Sequence, residues 1–150
     1  TAKNRRAMWK SLLLASLVVI ALSAPFLVWD GRAFIDSVIL YLSGGTAGSY
    51  PISGYGLGMV LYSFGFIHDI HANYPFFFWQ AGFGLPVLVI HLRWVWMRPT
   101  ISTFLFGYGT FLFVFWYMSR YFNNSHIGYI SLVYIVGGIL FLNEAKEPAT

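Results

Sequence analysis

Cysteine is absent from the 150-residue sequence, so no disulfide framework, thiolate metal site or cysteine nucleophile is available, and cysteine usage says nothing of the redox compartment. Charge is scarce as well. Asp, Glu, Lys and Arg make up 9% of the chain, against about 25% in an average soluble domain. So few charges cannot cover a water-facing surface, and a soluble globular domain is excluded. What is present is 58% hydrophobic and 21% aromatic residue, with Phe 15, Tyr 10 and Trp 6. Aromatics at that level suit bulk against lipid and polar-tipped rings at the two membrane interfaces. The formal net charge of +4 comes from cations that are scattered or clustered at the start, which suits an orientation signal better than nucleic acid as a partner.

The hydrophobic runs predict an all-α, polytopic transmembrane helical bundle of four to five spans forming one membrane domain over residues 1–150. The first span covers about 8–29, close to the roughly 20 residues a spanning helix needs. Its apolar core exceeds the 7–15 residues of a signal peptide, and Ser23-Ala24-Pro25 is a poor cleavage site, so the segment is expected to be retained. Thr1 fits either removal of an initiator Met or the cutting of a longer protein. Asp30-Gly31-Arg32 then punctuates the chain, and Ala33 to Leu42 reads as a short amphipathic helix in the interface. The segment SGGTAGSYPISGYGLG, Ser43 to Gly58, is a Gly-rich loop without the features of a P-loop or dinucleotide fingerprint. Residues 57–67 are either a second span or a re-entrant hairpin. Further spans are expected at 74–92, 101–121 and 127–142, followed by a tail carrying Glu144, Lys146 and Glu147. Gly82, Gly84, Gly107 and Gly109 offer small faces for helix packing.

Charge sets the expected orientation. If 57–67 does not cross, four spans group Lys3, Arg5, Arg6 and Lys10 with Arg93, Arg98 and Lys146, and leave Arg32 and Arg120 opposite. The positive-inside rule prefers that arrangement to five spans. It puts the N-terminus in the cytoplasm and collects WDGR, the Gly-rich loop, HDIH and RYFNNSH on the other face.

Few residues are equipped for chemistry. Asp30 and Asp36 are candidates for a general base or for holding a divalent cation against a phosphate; the competing reading makes Asp30 a helix cap paired with Arg32. His68, Asp69 and His71 have imidazoles three residues apart, but a structural metal site normally needs four ligands, so no metal residues are assigned and the cluster reads as a polar interfacial turn. Arg120, followed by Asn123 and Asn124, places a forked cation and amide donors at the membrane rim. That combination suits a phosphate or pyrophosphate, although an arginine there also snorkels to headgroups.

The stretches PFLVWDGRAFIDSV, YPISGYGLGMVLY, YPFFFWQAGFGLPVLV with RWVWMRPT, and FWYMSRYFNNSHIGY together resemble the C-terminal half of bacterial polytopic proteins of the GT-C glycosyltransferase type, from about Pro25 to Leu142. The resemblance implies transfer of sugar from a polyprenyl-phosphate donor on the non-cytoplasmic face, with a carboxylate of the first external loop as base or metal partner. Such enzymes have more helices and carry their defining acidic motif toward the N-terminal end, so Asp30 does not inherit that role by position. Two functions therefore stand beside each other. One is a lipid-linked sugar transferase module, inactive alone, with Asp30 and Asp36 as catalytic groups and Arg120, Asn123 and Asn124 as phosphate ligands. The other is a non-catalytic subunit of a larger membrane complex, such as a bioenergetic assembly, held by lipid and partner helices.

Overall fold

Long apolar runs bounded by Pro, Gly and Asn fold into helices whose ends follow those breakers. The computed structural model describes residues 2–46 and 48–146. Thr1, Ala47 and Glu147 lie outside the described residues, as do the side chains of Lys3, Arg5 and Arg6. The protein is mostly helical. Helix α1 runs over Ala2–Ile35 and continues through a π-helical turn, Asp36–Leu40, to Tyr41–Ser43. The helix α2 is Leu57–Ser63, α3 is Phe76–Met97, α4 is Ile101–Tyr117 and α5 is Asn124–Glu144. Two short strands, β1 (Ser53–Gly54) and β2 (Tyr121–Phe122), pair in parallel with Ser53 opposite Tyr121. Among the described residues, three helical stretches are long and apolar enough to cross a membrane, Ser16–Ser43, Phe76–Met97 and Asn124–Glu144. They mark an integral membrane protein.

Several boundaries differ from the sequence reading, each for a local reason. The break expected across residues 30–32 is one residue wide. Only Asp30 leaves helical geometry (φ −149°, ψ 85°), while Gly31 and Arg32 are helical. Helix α3 runs past Leu92 through the Trp94-Val95-Trp96 anchor and stops at Arg98, because Pro99 disfavours helical geometry in the residue before it. Helix α4 ends at Tyr117 rather than at 121, since residues 121–122 are drawn into the strand pair. Helix α5 begins three residues earlier than 127 because Asn123 caps it. Residues 57–67 contain only the seven-residue α2, about 10 Å long at 1.5 Å per residue, a third of a hydrocarbon core of about 30 Å.

Helix α4 packs against both α3 and α5, and glycines set how close they come. A β-carbon at Gly107 would stand 3.1 Å from the His91 ring on α3, and one at Gly109 would stand 3.3 Å from Val133 on α5. Polar bonds cross the same seams. Gln80 Nε2 donates to Phe115 O at 3.2 Å, and the Thr110 and Tyr134 hydroxyls lie 2.8 Å apart. At the opposite end of the bundle from β1 and β2, the Glu144 carboxylate accepts from Ser102 N at 3.2 Å and from Ser102 Oγ. It thereby satisfies an amide at the start of α4 that has no partner within its own helix. By contrast α1 packs chiefly on its own continuation.

Candidate functional site

At the end of the bundle where α4 leads into α5, three loops converge on one side chain. Arg120 follows the last turn of α4 and is only 2% exposed. Its Nε donates to Tyr50 O of the Gly-rich loop, its Nη1 to Ala72 O at 2.7 Å and its Nη2 to Ile70 O at 3.1 Å. The acceptors lie 48 to 70 residues away in sequence. A guanidinium suits this task because its five donors are fixed in a planar fork. Three are used here, by Tyr50 O and by Ile70 O and Ala72 O, which also accept from Ile52 N and Tyr74 N. Burial pulls the Arg120 pKa below its ordinary value, and the nearby Asp69 carboxylate opposes that shift; an arginine remains charged at neutral pH regardless.

The surrounding backbone is built to admit this side chain. Gly44, after the last turn of α1, has φ +93°, and a β-carbon there would collide with Arg120 Nη1. Ile52 N donates to Ile70 O at 2.8 Å and Ser53 N to Arg120 O at 3.3 Å, so the two loops and β2 share hydrogen bonds. Ser49, 1% exposed, donates through Oγ to Thr46 O at 2.6 Å. In the insert, Asp69 Oδ1 accepts from His71 N at 2.9 Å, and His71 Nδ1 lies 3.2 Å from Ser49 O. Ile52, Ile67 and Phe76 form a small buried core beneath. The Gly-rich loop, the His68–Asn73 insert and the Arg120–His126 segment are thus one ordered polar layer. His68, Asp69, His71, Asn73 and Asn124 are exposed on it.

The structure assigns local tasks to several residues singled out from sequence. Asn123 is the N-cap of α5: its Oδ1 accepts from Ser125 N at 3.2 Å, and the His126 ring completes a capping box. Asn124, in the first turn, is exposed. Asp30 Oδ1 accepts from Ala33 N at 2.9 Å, the bond of a helix cap, across the break in α1. Asp36 is half-buried at the start of the π-turn, where its carbonyl accepts from Tyr41 N. A shallow groove beside the break is lined by Asp30 with Phe26, Trp29, Phe34 and Ser37, and Asp36 lies outside that lining. From Asp30 to the end of α1 at Ser43 the helix rises about 20 Å, so Asp30 stands apart from Arg120. Among the described residues, no three His, Asp or Glu side chains gather as metal ligands.

Two features had weak or unread signals in the sequence. An Asn immediately before an apolar run is a cap signal, and Asn123 carries it. Nothing in the sequence marks the carbonyls of Tyr50, Ile70 and Ala72 as partners of Arg120, because backbone acceptors are the same at every residue. Comparison with protein-family models, with curated proteins and with solved structures finds no match.

Proposed function

We propose that this chain is a membrane-embedded module of a lipid-linked sugar transferase, inactive when isolated, with its polar layer on the non-cytoplasmic face of a bacterial inner membrane. The reading rests on one observation: two stretches of the GT-C resemblance that are far apart in sequence, YPISGYGLGMVLY and FWYMSRYFNNSHIGY, join with the His68–Asn73 insert in a single layer around Arg120. Helices α1, α3, α4 and α5 are its four spans. Helix α4, at 17 residues about 25 Å long, connects the far end of α3 to the near end of α5 and crosses with them. The N-terminus, Arg93, Arg98 and Lys146 then face the cytoplasm. In this reading exposed Asn124 meets the phosphate of a polyprenyl-phosphate sugar on the layer that Arg120 holds together, while further helices supply the acceptor groove and the positioned base. Asp30 and Asp36 remain the carboxylates of the module, and a divalent cation is the one cofactor they would accommodate.

Purified chain in nanodiscs, given polyprenyl-phosphate sugars, an acceptor mixture and divalent metal, is expected to bind the lipid donor saturably and to transfer nothing. Transfer that disappears in Asp30→Asn would overturn the inactivity. Absence of donor binding would remove the transferase reading altogether.

A second reading, a structural subunit of a larger membrane complex such as a bioenergetic assembly, is favoured by the open faces of α3 and α5. Of the four glycines expected to meet partner helices, Gly84, Gly107 and Gly109 are covered within the chain, whereas Gly82 has open space beside it, as does Gly138 on α5. Small open faces let a neighbouring helix approach closely. Stoichiometric membrane partners in native preparations would support this alternative.

A further inference from the structure

We propose that the turn following α2 is a lipid-inserting wedge, in which Phe64 and Phe66 enter the headgroup–acyl boundary beside the start of α3 while the adjoining His68–His71 insert stays in water. The proposal does not depend on the transferase reading.

Helix α2 shows two unlike sides. Toward the bundle, Gly56 and Gly58 are buried against the backbone of Tyr117 and Arg120, and Met59 and Leu61 pack on the Ile52–Ile67–Phe76 core. On the other side, Val60 and Tyr62 are exposed, and exposure peaks at the turn with 76% for Phe64 and 72% for Phe66. Two bare phenylalanines around one glycine do not belong in water, where removing apolar surface from the solvent is strongly favourable.

Continuity with the start of α3 identifies lipid as the occupant. Ile67, next to Phe66, is packed on Phe76, the first residue of α3. Phe77 and Phe78 follow and are 70% and 73% exposed at the start of a helix apolar enough to cross a membrane. The wedge and the lipid-facing start of α3 therefore share one level. No charged residue occurs between Arg32 and Asp69 except Asp36, so nothing charged would be dragged into lipid with the turn.

The backbone is prepared for low dielectric, where an unpaired amide is expensive. Gly65 has φ +75° and closes α2 in a Schellman arrangement. Its N–H donates to Tyr62 O at 3.0 Å, and Phe66 N donates to Leu61 O at 2.9 Å, with Phe64 N bonded to Val60 O at 3.0 Å. Every amide from Phe64 to Ile67 has a carbonyl partner.

The native chain has no cysteine, so Phe64→Cys, Phe66→Cys and His68→Cys each take a single environment-sensitive fluorophore. The proteins are placed in vesicles of phosphatidylethanolamine and phosphatidylglycerol that carry phosphatidylcholine brominated either near the headgroup or near the acyl terminus. The expected result is quenching at positions 64 and 66 by the shallow bromolipid, at least about threefold above that at 68, as for an interfacial segment. Aqueous iodide should reach position 68 in preference to the other two. Equal iodide access at all three positions without bromolipid quenching would overturn the proposal. Protection of 64 and 66 from both quenchers would also overturn it, since a protein or a second copy would then cover the turn.

Discussion

Helix α1 and the α3–α5 unit are both apolar, yet they hold their positions by different means. Along α1 the large side chains stand free, with Val28 at 87% and Trp29 at 89% exposure, and the helix is fixed chiefly at its end, where Tyr50 N donates to Tyr41 O and Gly44 abuts Arg120. The α3–α5 unit buries Phe76, Ile130 and Val133 and is tied at one end by Glu144 to Ser102 and at the other by Arg120 to three carbonyls. Between apolar helices in lipid the hydrophobic effect gives little driving force, so close packing and polar bonds decide which helices associate. The polar loop layer, rather than a hydrophobic core, is therefore the organising element of this protein.

Substitutions should separate the two regions sharply. Arg120→Ala is expected to have the largest effect, about 3–5 kcal/mol of lost stability, because it removes three charge-assisted hydrogen bonds that join two loops to the end of α4. Thermal unfolding in detergent would show it, and a melting temperature close to that of the native chain would mean that Arg120 does not hold the loop layer. Gly44→Ala comes next. It forces an L side chain into positive φ and against Arg120, a strain of about 1–3 kcal/mol. Replacing Gly107 by Val presses on the His91 ring and should cost about 1–3 kcal/mol by overpacking, read as weaker protection of α4 from exchange. Asn123→Ala removes the cap of α5 and should cost about 1 kcal/mol, against a few tenths for Asn123→Gly. On α1, Val28→Leu is expected to stay within about 0.5 kcal/mol, as for exposed positions away from structural features. A larger effect there would mean that α1 is packed more tightly than its exposure indicates.

The membrane class was readable from charge scarcity and apolar runs, because both follow directly from the solvent a surface must face. Spans read at 74–92, 101–121 and 127–142 fell on helices, with ends displaced where Pro99, the β2 strand and the Asn123 cap act locally. The Gly-rich loop, the HDIH insert and RYFNNSH were expected on one face, and they lie in one layer. WDGR was expected with them, yet Asp30 lies about 20 Å of helix away. Arg120 was singled out for its charge at the membrane rim, but its partners are backbone carbonyls, and no residue type signals those. The seven-residue length of α2 was equally hidden, since an apolar run reads alike whether it is one helix or a helix plus a glycine turn.

The organising role of Arg120 is tested most directly by hydrogen–deuterium exchange on the native chain and on Arg120→Gln, both in lipid nanodiscs. Three amides report it: Tyr50 N bonded to Tyr41 O, Ile52 N to Ile70 O and Ala72 N to Asp69 O. The account predicts that Arg120→Gln removes the protection of all three together, although they lie in two separate loops, while amides of residues 16–28 in α1 exchange as before. Unchanged protection at Tyr50, Ile52 and Ala72 would contradict it.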